Sequence, residues 1–143
     1  MRIKLVGLAI FVLLSACAHG QLSTLPRVDD AEAASELVII RSGSIVGATN
    51  SYKIALDHQD IFAIRITEYI KFLVTPGEHS FSVKCFGGWS PQWKKDTFRL
   101  MCAPRQTYYF LVSPGKRCAK IEPITKEEGL AWVSKSEFVD VKQ

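Results

Sequence analysis

The sequence lacks a hydrophobic run long enough to form a conventional membrane-spanning helix. Such a helix needs about 20 apolar residues, whereas the main apolar run of this 143-residue chain covers only residues 5–14. The length suits one domain. An internal repeat, a heptad pattern and a low-complexity tract are also absent, which argues against a repeat array or a coiled coil.

Patterns that carry catalysis or metal binding are scarce as well. None of the three histidines, His19, His58 and His79, lies in a Cys-His or His-x-x-x-His context. There is no Gly-x-Ser-x-Gly motif for a nucleophile and no Cys-x-x-Cys pair for zinc. His79 and Cys85 are six residues apart, roughly 20 Å along a strand, which is too far for one ion. We therefore predict a non-enzymatic protein without a metal or other cofactor, in which the His79 ring packs against a neighbouring turn.

The amino terminus is typical of a bacterial secretory signal. Arg2 and Lys4 provide the positive segment, and residues 5–14 the apolar one. The following Leu-Ser-Ala-Cys resembles a lipobox, in which small residues precede the cut and the cysteine takes a diacylglycerol and an amide-linked acyl chain such as palmitate. We predict a signal peptide over 1–16 and lipid attachment at Cys17, which would hold the protein on a bilayer. A plain cleaved signal with an incidental cysteine and an uncleaved N-terminal helix are the alternatives.

The residues after the lipobox indicate location and linkage. Ala18, rather than Asp, follows the cysteine, which favours the outer membrane in Gram-negative lipoproteins that resemble this chain. We predict a lipid-anchored protein that faces the periplasm rather than the cell surface. Residues 17–35 are small, polar or acidic, so we predict a flexible tether there and a folded domain over 36–143.

Charge of one sign is not abundant. The chain has 18 Lys and Arg against 14 Asp and Glu. Loss of Arg2 and Lys4 with the signal peptide would leave 16 against 14, a formal net charge of +2. So weak a bias does not indicate nucleic-acid binding.

Short alternating apolar segments separated by turn residues fill the rest of the chain. Such segments at 8–12-residue spacing are typical of an antiparallel sandwich or small barrel. We predict about seven or eight strands, which cover 37–44, 51–57, 61–66, 68–74, 79–86, 96–102, 107–112 and 117–124. Thr125 and Glu128 fit a capping box, which predicts a short C-terminal helix at about 126–135 packed on the sheet by Leu130 and Val133. The expected fold is therefore mainly β, an antiparallel β-sandwich with one short α-helix.

Three cysteines remain if Cys17 carries lipid, and the periplasm is oxidising. If consecutive strands run antiparallel, Cys85 and Cys118 lie at one end of the sheet and Cys102 at the other. This favours a Cys85–Cys118 disulfide. A Cys85–Cys102 bridge and three buried thiols are the alternatives.

The segment FGGWSPQWKK (86–95) is the most unusual candidate for ligand contact. Trp89 and Trp93 offer flat apolar faces that could stack on a sugar, dip into a membrane interface or anchor a protein partner. The competing interpretation is that these side chains fold over the open end of the sandwich as a lid.

Several segments in this order behind a lipobox resemble the small bacterial lipoproteins that carry domain-of-unknown-function 2846. They are VIIRSGSIVGATNSYKIALD, EYIKFLVTPGEHSFSV and TYYFLV. The shared features would be Arg41, Asp57, Tyr69, the Pro76-Gly77-Glu78-His79 turn and the pair Tyr108-Tyr109. His58 departs from the pattern, which commonly has Gly there, and the segment around Trp89 is longer and more aromatic than usual. The resemblance covers about 38–112 and implies a fold and an envelope location, without an established activity.

The sequence thus predicts a membrane-anchored envelope lipoprotein that acts as a non-enzymatic binding or assembly module. Its expected partners are the membrane, through the N-terminal lipid, and an envelope protein or glycan. The alternative is a carbohydrate- or peptidoglycan-binding module that uses Trp89 and Trp93.

Overall fold

Ten strands and one helix make up the regular structure of the residues that the computed structural model describes, which are 19–44, 50–86, 93–116 and 119–143. In chain order they are β1 (Gly20–Gln21), β2 (Ser35–Arg41), β3 (Tyr52–Leu56), β4 (Gln59–Ile64), β5 (Glu68–Val74), β6 (Gly77–Phe86), β7 (Trp93–Cys102), β8 (Thr107–Pro114), β9 (Ala119–Ile124), α1 (Lys126–Val133) and β10 (Glu137–Phe138). The predicted mainly β fold with one short C-terminal helix is confirmed, and each of the eight predicted strands is present. The two-residue strands β1 and β10 are additions that the sequence pattern did not predict.

The strands form two five-stranded sheets. Sheet A has the order β1-β4-β3-β6-β7, and sheet B has the order β10-β5-β2-β8-β9. Pairing in sheet A is antiparallel, but β2 runs parallel to β8, and β10 parallel to β5. The sequence predicts an antiparallel sandwich, and these two parallel pairs are the exceptions to it. Parallel neighbours need a long crossover, and here four strands of sheet A and strand β5 of sheet B lie between β2 and β8 in the chain.

The core lies between the two sheets. Phe81 of sheet A packs on Phe110 of sheet B with 5.1 Å between ring centroids, and Phe98 meets Phe110 at 5.7 Å. Strand β2 is buried almost throughout, with Val38 only 4% exposed. It is a central strand that α1 also contacts, which explains its continuous apolar sequence.

The helix begins with the predicted capping box. The Thr125 side chain accepts a hydrogen bond from the Glu128 N–H, and the Glu128 carboxylate accepts one from the Thr125 N–H. The predicted packing through Leu130 is wrong, since this side chain is 50% exposed. Gly129 instead lies against the Tyr109 ring, so closely that a Cβ atom there would lie 2.2 Å from Tyr109 Cδ1. A glycine that weakens the helix locally is what allows the helix to approach the sheet.

Part of the segment predicted as a flexible tether lies on the domain. Strand β1 pairs with β4, with Gly20 opposite Ala63. The Ser23 hydroxyl donates to the Asp60 carbonyl at 2.7 Å, and Leu25 is buried in the core. The described residues begin at His19, so the predicted signal peptide and Cys17 lie outside them.

The sandwich has two ends that differ in their connections. We call proximal the end where His19 lies and where β2, β4, β6 and β8 finish. The opposite end, which carries the β3–β4 turn and the start of α1, is called distal.

Candidate functional site

Three lysines lie side by side across sheet A. Lys53 is directly opposite Lys84, and Lys84 is directly opposite Lys95, so the three side chains share the outer face of β3, β6 and β7. We call this set the lysine row. Directly opposed residues have Cβ atoms about 4.5–5.5 Å apart, and like charges in such positions are destabilising. The register therefore brings three like charges together on one face of sheet A.

The lysine row lines an open cleft. Among the described residues, its walls are Lys53, Lys84, Lys95 and Asp60, and its volume is about 310 Å³. Lys84 Nζ lies 2.5 Å from Asp60 Oδ1, and the two side chains are 25% and 32% exposed. These lining side chains carry three positive charges and one negative charge. The arrangement suits the binding of an anionic group through ammonium donors.

The lysine row continues in register to the N-terminal strand. Lys53 is opposite Ala63 on β4, and Ala63 is opposite Gly20 on β1. Gly20 is therefore two strands away from the first lysine of the row, on the same line across the sheet.

His19 docks the start of the described chain on the proximal end. Its Nε2 lies 2.7 Å from Glu68 Oε1, and Glu68 Oε2 accepts a hydrogen bond from the Arg65 N–H at 2.7 Å. Glu68 is buried, while the His19 side chain is 28% exposed. A buried carboxylate needs partners for its oxygens, and the N-terminal segment supplies one of them.

A buried guanidinium closes the proximal end of the core. Arg41, on β2, donates to the carbonyls of Asn50 and Ile64, the latter at 2.8 Å, and its carbon Cζ lies 3.8 Å from the centre of the Tyr52 ring. Burial lowers the pKa of Arg41, against the opposing effect of Tyr52 and Glu68. Arg41 thus joins the two sheets, a role that its place at the end of an apolar strand did not reveal.

The two cysteines among the described residues differ in state. Cys85 is disulfide-bonded, and Cys102 is free. These states exclude the Cys85–Cys102 alternative and the alternative in which both remain thiols. Cys118 lies outside the described residues, so its pairing with Cys85 stays a prediction. Burial raises the pKa of Cys102 to about 11, with a smaller contribution from Asp57, which makes this thiol a poor nucleophile at neutral pH.

Two histidines lie at the distal end, close to one turn. Asp57 and His58 form the two-residue turn between β3 and β4 with φ of 46° and 72°, as in a type I′ turn. His79 Nδ1 lies 2.7 Å from Asp57 Oδ2, and its Nε2 lies 2.7 Å from the Thr75 carbonyl oxygen. The prediction that the His79 ring packs against a neighbouring turn is confirmed. Because its two nitrogens contact oxygen atoms of two different turns, this ring holds the turns together.

The two predicted contact residues, Trp89 and Trp93, belong to the segment that links β6 to the start of β7. Trp89 lies outside the described residues, and Trp93 begins β7, where its backbone pairs with that of Phe86. The connection that contains Trp89 thus leaves and rejoins the sheet at the proximal end, two residues beyond the lysine row. Periodicity could not find the row itself, because its members are 31 and 11 residues apart in sequence.

Among the described residues, no cluster of His, Cys, Asp or Glu side chains could hold a metal ion, and none of the helices there could cross a membrane. The chain matches no protein-family model, and no curated protein or solved structure is significantly similar to it. The resemblance to domain-of-unknown-function 2846 therefore stays a prediction.

Proposed function

We propose that this protein is an envelope lipoprotein, lipid-anchored through Cys17 at the periplasmic face of the outer membrane, whose domain is a non-enzymatic binding or assembly module. The observation that carries the proposal is the attachment of the N-terminal segment to the domain. His19, two residues after Cys17, binds Glu68, and Gly20 pairs with Ala63. A lipid at Cys17 would then mount the sandwich close to the bilayer in one orientation.

A domain that is held in one orientation is better suited to recognition than a domain on a long flexible tether. A module held in one orientation presents the same surfaces to its partners and loses less rotational freedom when it binds them. The distal end would point away from the bilayer. Met101, one residue from the distal end of β7, and Leu130, in α1, have side chains that are 65% and 50% exposed and provide apolar contact area.

Mass spectrometry of the protein purified from its membrane tests the anchor. We expect the loss of residues 1–16 and an acylated N-terminal Cys17. The variant Cys17→Ser is the matched control and should remain unacylated and leave the membrane fraction or keep its signal peptide. An unmodified Cys17 in the wild-type protein would contradict the proposal.

Crosslinking in intact cells tests the role as a module. A defined envelope protein captured by wild type, and lost on Met101→Glu or Leu130→Glu, would support protein assembly. The carbohydrate alternative predicts a different result, in which peptidoglycan fragments quench tryptophan fluorescence and Trp89→Ala removes the effect. Trp132→Phe is the control, because Trp132 belongs to α1 and is not part of the segment 86–95.

A further inference from the structure

The lysine row is an unusual feature of this fold because it places like charges directly opposite one another on three adjacent strands. We propose that the row binds the anionic headgroups of the bilayer that holds the lipid anchor, so that it acts as a second contact with the membrane. The inference rests on the proposed anchor at Cys17 and adds a ligand class to it, the lipid phosphate group.

The register of sheet A places the row near the anchor. Gly20, Ala63, Lys53, Lys84 and Lys95 follow one another across five neighbouring strands. Strands are spaced about 4.8 Å apart, so Lys53 lies roughly 10 Å from Gly20. Cys17 is three residues before Gly20, and three residues span at most about 11 Å. His19 is held at the proximal end by Glu68, so an anchor at Cys17 would lie within reach of the row.

The row also lies close to the proximal end of the sandwich, which would face the bilayer. Lys84 and Lys95 are each two residues from the proximal ends of β6 and β7, a distance of about 7 Å. A lysine stem can extend along the surface so that its ammonium group reaches a polar interface. The ammonium groups can therefore reach headgroups that touch the proximal end, within the screening length of about 8 Å at physiological salt.

The charges of the cleft select an anion. Three ammonium groups face one carboxylate, that of Asp60, which is paired with Lys84. Each net positive charge near an anionic leaflet strengthens attachment about fivefold, so the row, with the charge of Lys84 offset by Asp60, would add on the order of 25-fold in an anionic membrane and little in a zwitterionic one. The cleft is open, as contact with many lipid headgroups requires.

Lysine labelling in vesicles tests the inference with the wild-type protein, so that no variant has to fold. The lipidated protein is added to preformed vesicles of phosphatidylcholine alone, or of phosphatidylcholine with 30% phosphatidylglycerol. A membrane-impermeant amine reagent is applied, and mass spectrometry gives the rate at each lysine. We expect Lys53, Lys84 and Lys95 to react at least about fivefold more slowly on the anionic vesicles, and 0.5 M NaCl to remove this protection.

Lysines elsewhere on the same molecule are the controls. Lys126 starts the helix at the distal end, and Lys71 lies on sheet B with a side chain that is 52% exposed. Both should react equally on the two kinds of vesicle. Equal rates for the lysine row on both vesicles would overturn the inference. Protection on neutral vesicles by 50 mM inorganic phosphate would indicate a site for free phosphate, and protection by peptidoglycan fragments a glycan site, and either result would also overturn it.

The two proposals can fail separately. If Cys17 is acylated and the labelling does not depend on headgroup charge, the anchor stands and the lysine row has no membrane role. If Cys17 is not acylated and the protein does not stay on the vesicles, the anchor fails and the membrane role of the row fails with it.

Discussion

The two ends of the sandwich use the same pair of chemical groups for different purposes. At each end, a histidine nitrogen lies 2.7 Å from a carboxylate oxygen, in His79–Asp57 at the distal end and His19–Glu68 at the proximal end. The distal pair joins two turns that belong to neighbouring strands. The proximal pair joins the start of the described chain to a buried strand end.

Burial distinguishes the two pairs. Glu68 is buried and lies near the guanidinium of Arg41. The negative charge of Glu68 acts to raise the pKa of that arginine. Asp57 is in an exposed turn, with its side chain 44% exposed. Charges that are removed from water need partners inside the protein. The proximal end therefore contains a buried network of charged groups, whereas the distal end contains a single exposed pair. The proximal end therefore holds the N-terminal segment in place, and variants at the two ends should differ in their effects.

The largest effect is expected from Arg41→Met at the proximal end. The substitution removes the donors to the carbonyls of Asn50 and Ile64 and leaves Glu68 with one positive neighbour fewer. We expect the free energy of unfolding to fall by about 3 kcal/mol, measured by urea denaturation. Arg65→Met at the same end is the control, and because its side chain is exposed it should change stability by less than about 0.5 kcal/mol. An equal loss of unfolding free energy in both variants would contradict the stabilising role of the buried network around Arg41.

The next largest effect is expected from Gly129→Ala, in the helix that starts at the distal end. The added Cβ would overlap the Tyr109 ring, at 2.2 Å from Cδ1, and would push the helix away from sheet B. Overpacking costs about 1–3 kcal/mol, and the better helix propensity of alanine returns up to about 1 kcal/mol, so the thermal midpoint should fall. Leu130→Ala, at an exposed neighbour on the same helix, should have little effect. A stabilised Gly129→Ala protein would show that the helix is not held against Tyr109.

A direct comparison of the two histidines comes third. His79→Gln should lower the free energy of unfolding by about 1–2 kcal/mol, since two hydrogen bonds between turns are lost or weakened. His19→Gln should change global stability by less than about 0.5 kcal/mol but should release β1 locally. Hydrogen exchange at the Leu22 amide, which donates to the Ile61 carbonyl, should then accelerate in His19→Gln and not in His79→Gln. If both variants change stability and Leu22 exchange alike, the two histidine–carboxylate pairs have the same role, which would contradict the proposed difference between the two ends.

The smallest effect concerns pH and the helix at the distal end. Hydrogen bonds from the Thr125 backbone and side chain lower the pKa of Glu128. A carboxyl group whose pKa is lower in the folded state stabilises the fold above its unfolded pKa of about 4.3, and that stabilisation disappears as the pH falls through the folded pKa. The stability difference between wild type and Glu128→Gln should therefore shrink below about pH 4. Glu127→Gln is the control, and a difference that is constant from pH 7 to pH 3 would contradict the capping role.

Much of the fold was predictable from the sequence because the signals are local. Phe81, Val83 and Cys85 alternate with polar residues and predict β6, and Thr125 with Glu128 predicts the start of the helix. The site was not predictable in this way. Lys53, Lys84 and Lys95 become neighbours only through the β3–β6 and β6–β7 registers, and register depends on pairing between distant segments.

The N-terminal segment shows the same limit. Residues 17–35 have a composition typical of a tether, yet Leu25 enters the core and Gly20 pairs with Ala63. A polar segment can be ordered by hydrogen bonds to an exposed strand edge, and nothing in its own composition reports that such an edge is available.

By itself the sequence determined the strands, the turns and the capped helix of this protein, because alternation, turn chemistry and capping act between residues a few positions apart. Only the tertiary structure decided how the strands divide into two sheets, that β2 runs parallel to β8, where the N-terminal segment lies and which lysines stand together. Those features depend on contacts between residues far apart in the chain, and the free energy of such contacts is settled by the packing of the whole domain.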